Sequence, residues 1–332
     1  MGVTEEKSTL QRVGEMDIMP IEEIYEAQKH LPKEITDTPL VKLNVEVPGK
    51  EIYLKLENFQ PIGCFKIRGA YNALRKVNRE IYDEVVTVST GNFAQGLAWA
   101  SKKFGFKCTT IVPKDIPNIK VNALEGFGAK IIKVTSEEWW DILQKGETDL
   151  SPGKFIHTCC EYDAIAGNGV IGLELVKSLG HFDTVIIPVG GGSNITGTTS
   201  AIKQLLPNVK SYACEVDNAA PVHASFCEGA AAKVKNWLPS YVDGMNGKLL
   251  MPSVWNMIKN LVEGVVLLDL KTISDTVRML VMKNKIVTEG AGAAPVAAAM
   301  SDQIPPGRIV CIISGGNLDN DKLVKILNGE VP

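Results

Sequence analysis

The 332-residue chain has little charge of either sign to spare: 35 Lys and Arg against 38 Asp and Glu leave a formal −3. So small an excess gives no electrostatic reason to expect nucleic acid or an anionic membrane as a partner. No apolar run approaches the roughly 18 residues needed to span a bilayer. Met1 to Ser8 lacks the basic-then-apolar layout of a secretory signal, so a soluble, cytoplasmic protein is expected. The seven cysteines include no C-x-x-C pair, and Cys159 and Cys160 are adjacent, a poor geometry for shared metal ligation. Reduced thiols, most of them small buried hydrophobes, are expected rather than disulfides or zinc. Thirty glycines and seventeen prolines show no repeat period, which excludes collagen-like and low-complexity architectures.

At about 150 residues per domain the length suggests two domains. From residue 51 onward, short apolar runs alternate with helical patterns. Residues 51–56, 85–88, 109–112, 130–134, 184–189, 211–215 and 308–313 read as strands. Residues 66–77, 91–104 and 118–127 read as helices, as do stretches beginning near Asn194, Thr272 and Glu289. The capping-box spacing of Thr272 and Asp275 places a helix start at Thr272. Residues 1–35 read as a helical arm, and 145–154 as a surface loop or a crossing between domains. Alternation of this kind predicts parallel sheets covered on both faces, with ligands gathered where strands end and helices begin. Three Gly-bearing strand ends qualify: Ser89-Thr90-Gly91-Asn92, Gly190 to Gly197, and Ser314-Gly315-Gly316-Asn317.

Gly190-Gly191-Gly192-Ser193-Asn194 exposes backbone N–H groups at the positive end of a helix, an arrangement suited to a phosphate. It is not a P-loop, because Thr198 and Thr199 follow Gly197 where the phosphate-binding Lys belongs. Nor is it a dinucleotide fingerprint, since Ile195 occupies the last Gly position. Lys66 stands at a helix start between Phe65 and Ile67, where the dipole disfavours a cation, which makes it a candidate for Schiff-base chemistry; taken alone, the better reading is a lysine whose head reaches solvent past a buried stem. Ser89 to Asn92 offers hydroxyls and amides to a carboxylate, or else a plain helix cap. Ser314 ends a buried strand, where its hydroxyl could meet a ring nitrogen or cap the next turn.

Taken together, the order F-K-x-R-G-A, S-x-G-N, Gly-rich loop and S-G-G-N resembles the fold-type II pyridoxal-phosphate enzymes. The nearest likeness is to their threonine/serine dehydratase and serine racemase branch. It runs from about Thr38 to Asn317 and takes in 164–169 and 212–215. The resemblance implies an α/β fold like the tryptophan synthase β chain, with two parallel-rich open sheets flanked by helices. Residues 1–74 and 161–332 would form a large cofactor-binding domain and 75–160 a small mobile one. Lys66 would carry pyridoxal 5'-phosphate as a Schiff base beside Phe65, and Gly190, Gly191, Gly192, Ser193 and Asn194 would hold its phosphate. Asn92 would meet the ring 3-oxygen, Ser314 the pyridine nitrogen, and Glu289 would lie near the ring. Ser89, Thr90, Gly91, Asn92 and Phe93 would receive the substrate. The implied reaction is elimination of water from a β-hydroxy amino acid, followed by hydrolysis of the product to a 2-oxo acid and ammonia, in a homodimer. Racemisation or β-replacement on the same fold, and a non-catalytic relative that only binds the cofactor, remain alternatives.

Four departures bear on the substrate. Phe93 stands where the family usually has His, Cys64 replaces a Ser, Ser193 a fourth Gly, and Trp139-Trp140 polar or basic residues. The substrate end becomes more apolar and aromatic, which favours an aryl-serine over serine, or else merely packs a domain interface. A racemase-like divalent cation site is matched at Glu215 and Ala219, but Pro221 stands at its second carboxylate position. One carboxylate with carbonyls makes a poor Mg²⁺ or Ca²⁺ site, so no metal is assigned. The chain ends soon after Ser314, and a regulatory domain with feedback by isoleucine is not expected.

Overall fold

The apolar runs assemble into two sheets. The computed structural model describes residues 8–332; Met1 to Lys7, part of the expected arm and of the segment read for a signal, lie outside the described residues. The strands are β1 (Leu40–Lys42), β2 (Lys50–Leu56), β3 (Glu84–Val88), β4 (Lys107–Pro113), β5 (Lys130–Val134), β6 (Lys154–Phe155), β7 (Thr184–Pro188), β8 (Lys210–Val216), β9 (Gly264–Leu268) and β10 (Gly307–Ile313). One sheet has the order β1-β2-β10-β7-β8-β9 and the other β5-β4-β3-β6. Every pairing is parallel except that of β1 with β2. This is the mixed α/β architecture the alternation predicts.

Successive side chains of a strand point to opposite faces, and β7 shows the consequence. Val185 and Ile187 join the apolar cluster on one side of the large sheet, and Ile186 joins the cluster on the other. Each is fully buried, which stabilises the fold by about 2 kcal/mol per side chain. Burial on both faces is why this strand reads as a continuous apolar run.

Helix Tyr162–Leu179, the link from the small sheet back to the large one, was not legible. It is buried continuously from Tyr162 to Leu175 and so has no polar face to set a period. It packs against helix Ser193–Leu205 closely enough that a Cβ on Gly197 would sit 2.2 Å from the Ile165 carbonyl oxygen. Gly197 is therefore a packing glycine. The helix expected at Thr272 begins instead at Leu270, capped by Asp269, whose carboxylate accepts from the Thr272 amide at 2.8 Å. Thr272 satisfies that cap from inside the helix, so the start lies earlier than the capping-box reading. Residues 145–154 end helix Ser136–Lys145 and lead into β6. In the described part of the arm the chain forms helices Thr9–Gly14 and Ile21–His30. Among the described residues no helix is long and apolar enough to cross a membrane.

Candidate active site

The three glycine-bearing strand ends border a single cavity of about 540 Å³ between the two sheets, within the usual range for small-molecule sites. Lys66 is the first residue of helix Lys66–Arg75. The turn before it is pinned to the end of β10: Phe65 N–H donates to the Ser314 carbonyl at 3.0 Å, and Gly316 N–H to the Gly63 carbonyl at 2.8 Å. Lys66 and Ser314 are thus brought to one place by backbone bonds between segments some 250 residues apart in the chain. The Lys66 ammonium lies 5.1 Å from the Phe65 ring centre and 5.8 Å from that of Phe93. Among the described residues it has neither an ion pair nor a hydrogen bond. A half-buried amine with no direct ion pair among the described residues is not a solvated surface lysine.

Helix Ser193–Leu205 starts from Gly192, whose φ of +90° suits glycine, and no side chain caps it. Its first N–H groups therefore remain available to a ligand. Helix Asn92–Phe104 is likewise uncapped by a side chain; the Ser89 hydroxyl takes only the Gly91 amide, at 3.4 Å. The plain-cap alternative for Ser89 and Thr90 is thereby removed. Space beside Gly91 is open.

Glu289 precedes helix Gly290–Met300, and its carboxylate accepts from Asn92 Nδ2 at 3.1 and 3.2 Å. Burial pushes the Glu289 carboxyl up to about 7, with the Asn92 amide opposing and Asp243 reinforcing the rise. Asn92 Oδ1 in turn accepts from Asn317 at 2.8 Å. One Asn92 Nδ2 hydrogen suffices for Glu289, which leaves the other available to a ligand in the cavity. Ser314 is buried, and its hydroxyl has no partner among the described residues.

The model of the pyridoxal-phosphate-dependent enzymes matches residues 31–315. The chain belongs to that family. Over 318 residues it is 36% identical to the L-threonine ammonia-lyase of Thermotoga maritima, covering 94% of this chain and 79% of that one. It is 34% identical to the serine racemase of Dictyostelium discoideum, covering 94% and 99%. Among solved structures, maize serine racemase superimposes with a TM-score of 0.85 at 30% identity, covering 94% of this chain and 98% of that one.

The residues present fit the family's cofactor. Asn194 is buried and lines the cavity, with its Nδ2 unpartnered. A Cβ on Gly191 would fall 2.1 Å from Cys159 Sγ, and one on Gly190 2.3 Å from the Gly244 carbonyl oxygen, so only glycine lets this turn lie where it does. Phe65, Lys66, Ser89 to Phe93, Gly190 to Asn194, Glu289 and Ser314 all line the same cavity.

Glu215 and Ala219 are elsewhere. The Glu215 carboxylate accepts from the Val222 and His223 amides, both at 2.9 Å, and caps helix Pro221–Glu228. Ala219 N–H donates to the Val216 carbonyl in the turn before it. Among the described residues no group of three His, Cys, Asp or Glu side chains could hold a metal. Sequence reasoning missed Lys120, Cys159, Asp243 and Lys248, which also line the cavity. None lies in a motif, so no local signal marked them.

Proposed function

We propose that this chain is a pyridoxal-phosphate-dependent ammonia-lyase that eliminates the β-hydroxyl of a β-hydroxy amino acid, threonine, serine or a bulkier analogue, as water; hydrolysis of the released enamine takes one water back and gives a 2-oxo acid and ammonia. The observation that carries it is the unpaired Lys66 amine in one cavity with an uncapped Gly-rich helix start, a second uncapped helix start and the Ser314 hydroxyl. When bound, the cofactor supplies an electron sink for charge developing at the substrate Cα. Gly190 to Asn194 would hold its phosphate with main-chain amides. The N–H groups and hydroxyls of Ser89 to Asn92 orient the substrate carboxylate at a helix N-terminus. Lys66 Nζ takes the proton from Cα. Ser314, a neutral hydroxyl, would meet the cofactor's ring nitrogen and could not fully protonate it, which would favour departure of the β-hydroxyl over transamination.

Residues 75–160 act as the smaller unit closing on the substrate, a reading supported by the Lys120–Asp243 pair across the cleft at 3.0 Å. The protein works as a cytoplasmic homodimer; support comes from exposed Phe59, Met282 and Val287, and sedimentation tests the stoichiometry. Thr90 lines the cavity and has no partner among the described residues, which favours racemisation as a second reading. The decisive experiment follows 2-oxo acid and ammonia from β-hydroxy amino acids of both configurations. Elimination predicts both products in equal amounts, and racemisation predicts accumulation of the inverted substrate. Turnover and cofactor absorbance that persist in Lys66→Ala would reject the assignment.

A further inference from the structure

Three lysines line the cavity. Lys66 is the amine used above. Lys120, on helix Asn118–Gly126, is neutralised by Asp243 at 3.0 Å. Lys248 is different. Among the described residues it has no ion pair and donates no hydrogen bond. Its ammonium lies 5.9 Å from the Trp140 ring centre and 5.4 Å from that of Trp237. Trp140 belongs to helix Ser136–Lys145 beside the small sheet, whereas Trp237 and Lys248 belong to the segment before helix Pro252–Leu261 beside the large one. The Trp237 indole N–H is held by the Asn246 carbonyl at 3.4 Å, which fixes that ring.

Ring faces attract a cation through their quadrupole but leave its charge uncompensated. A half-buried ammonium between two indoles therefore still favours an anion. The cavity's other anion sites are spoken for, since Gly190 to Asn194 suit a phosphate and Ser89 to Asn92 an α-carboxylate. Nor do the tryptophans present a bare aromatic slot. Trp139 donates its indole N–H to the Ile111 carbonyl at 3.2 Å and meets Trp140 edge-on, and the Trp140 ring is next to the ammonium.

The geometry points to Lys248, seated between Trp140 and Trp237, as a subsite for a second carboxylate on the substrate side chain. The preferred substrate is then a dicarboxylic β-hydroxy amino acid, whose elimination of water and subsequent hydrolysis give a 2-oxo dicarboxylic acid and ammonia. This rests on the elimination reading for the reaction, but the subsite is testable without turnover. Cofactor-loaded protein is titrated with succinate and with butyrate, neither of which carries an amine, and tryptophan fluorescence is followed. Succinate binds at least about tenfold more tightly, Lys248→Met abolishes that advantage, and Lys248→Arg retains it. In turnover, the kcat/KM ratio of 3-hydroxyaspartate to threonine falls by about tenfold or more in Lys248→Met. Equal binding of the two acids, or an undiminished advantage in Lys248→Met, overturns the proposal. So does a Lys248→Met variant that loses cofactor while both selectivities stay unchanged, because the ammonium would then serve the phosphate. Failure of every amino acid to yield a 2-oxo acid rejects the elimination reading and leaves the succinate result to judge the subsite.

Discussion

Replacing Arg68 by Met should destabilise the protein by about 3–5 kcal/mol, because it breaks a charge network that has no access to water. Arg68 sits two residues beyond Lys66 and is fully buried. Its Nε and Nη2 donate to Glu57 at 2.8 and 2.9 Å, and Nη1 and Nη2 donate to Glu174 at 2.6 and 2.9 Å. Lys55 completes the set with a 2.5 Å bond to Glu174, so two cations offset two carboxylates. Methionine fills similar space but leaves the group with one uncompensated negative charge. At about 1.4 °C per kcal/mol for a chain of this size, the calorimetric midpoint at pH 7 falls by roughly 4–7 °C. Adding Glu57→Gln restores charge balance and recovers more than half of the loss. The pH dependence has a definite sign. Arg68 holds the Glu57 carboxyl below its usual range against the opposing effect of burial, so that in wild type its stabilisation is present above about pH 4.5 and lost as pH falls. Without Arg68, burial opposes only the Lys55 charge and the Thr38 hydroxyl and should raise this carboxyl, so that the variant then loses stability as pH rises. The deficit of Arg68→Met should therefore shrink between pH 7 and pH 5. A midpoint shift below about 2 °C at pH 7, or a deficit that widens on acidification, would refute this reasoning.

Glu215→Ala, which strips two amides of their buried acceptor, should cost about 2 kcal/mol or more in denaturant unfolding, and added Mg²⁺ should not restore it. Gly191→Ala drives a Cβ into Cys159 Sγ and should sharply lower cofactor retention, read as absorbance after gel filtration, while secondary structure by circular dichroism persists. Burial raises the Glu161 carboxyl to about 7. Its stabilising contribution is complete below about pH 4.5 and fades as pH rises to 7, by up to roughly 3 kcal/mol. Glu161→Gln should flatten that part of the stability–pH curve, and an unchanged slope would count against the assignment.

Much of the site could be read locally because its parts are short motifs at strand ends. An apolar strand announces itself by run length, and glycines mark the turn after it. Lys66, Ser89 to Asn92, Gly190 to Asn194 and Ser314 were therefore visible one segment at a time, and their order in the chain carried the family likeness. Glu215 matched a cation-site position, but only its bonds to the Val222 and His223 amides reveal a helix cap. The Asp269 cap was missed because Thr272 carries an equally good local signal. Trp139-Trp140 read either as an aromatic surface for the substrate or as packing at a domain interface; the structure puts an ammonium beside one ring and uses the other's N–H on the backbone.

The sequence by itself determined the strand–helix alternation, the glycine-bearing ends and the lysine at a helix start, because each depends on residues within a few positions of one another. Tertiary structure alone decided which side chains share the cavity. Asn92 reaches Glu289 across 197 positions, and Lys248 meets Trp140 only because the two sheets face each other there. Spacing along the chain encodes local geometry, but a contact between distant segments exists only once parallel pairing and helix packing have set the sheets side by side.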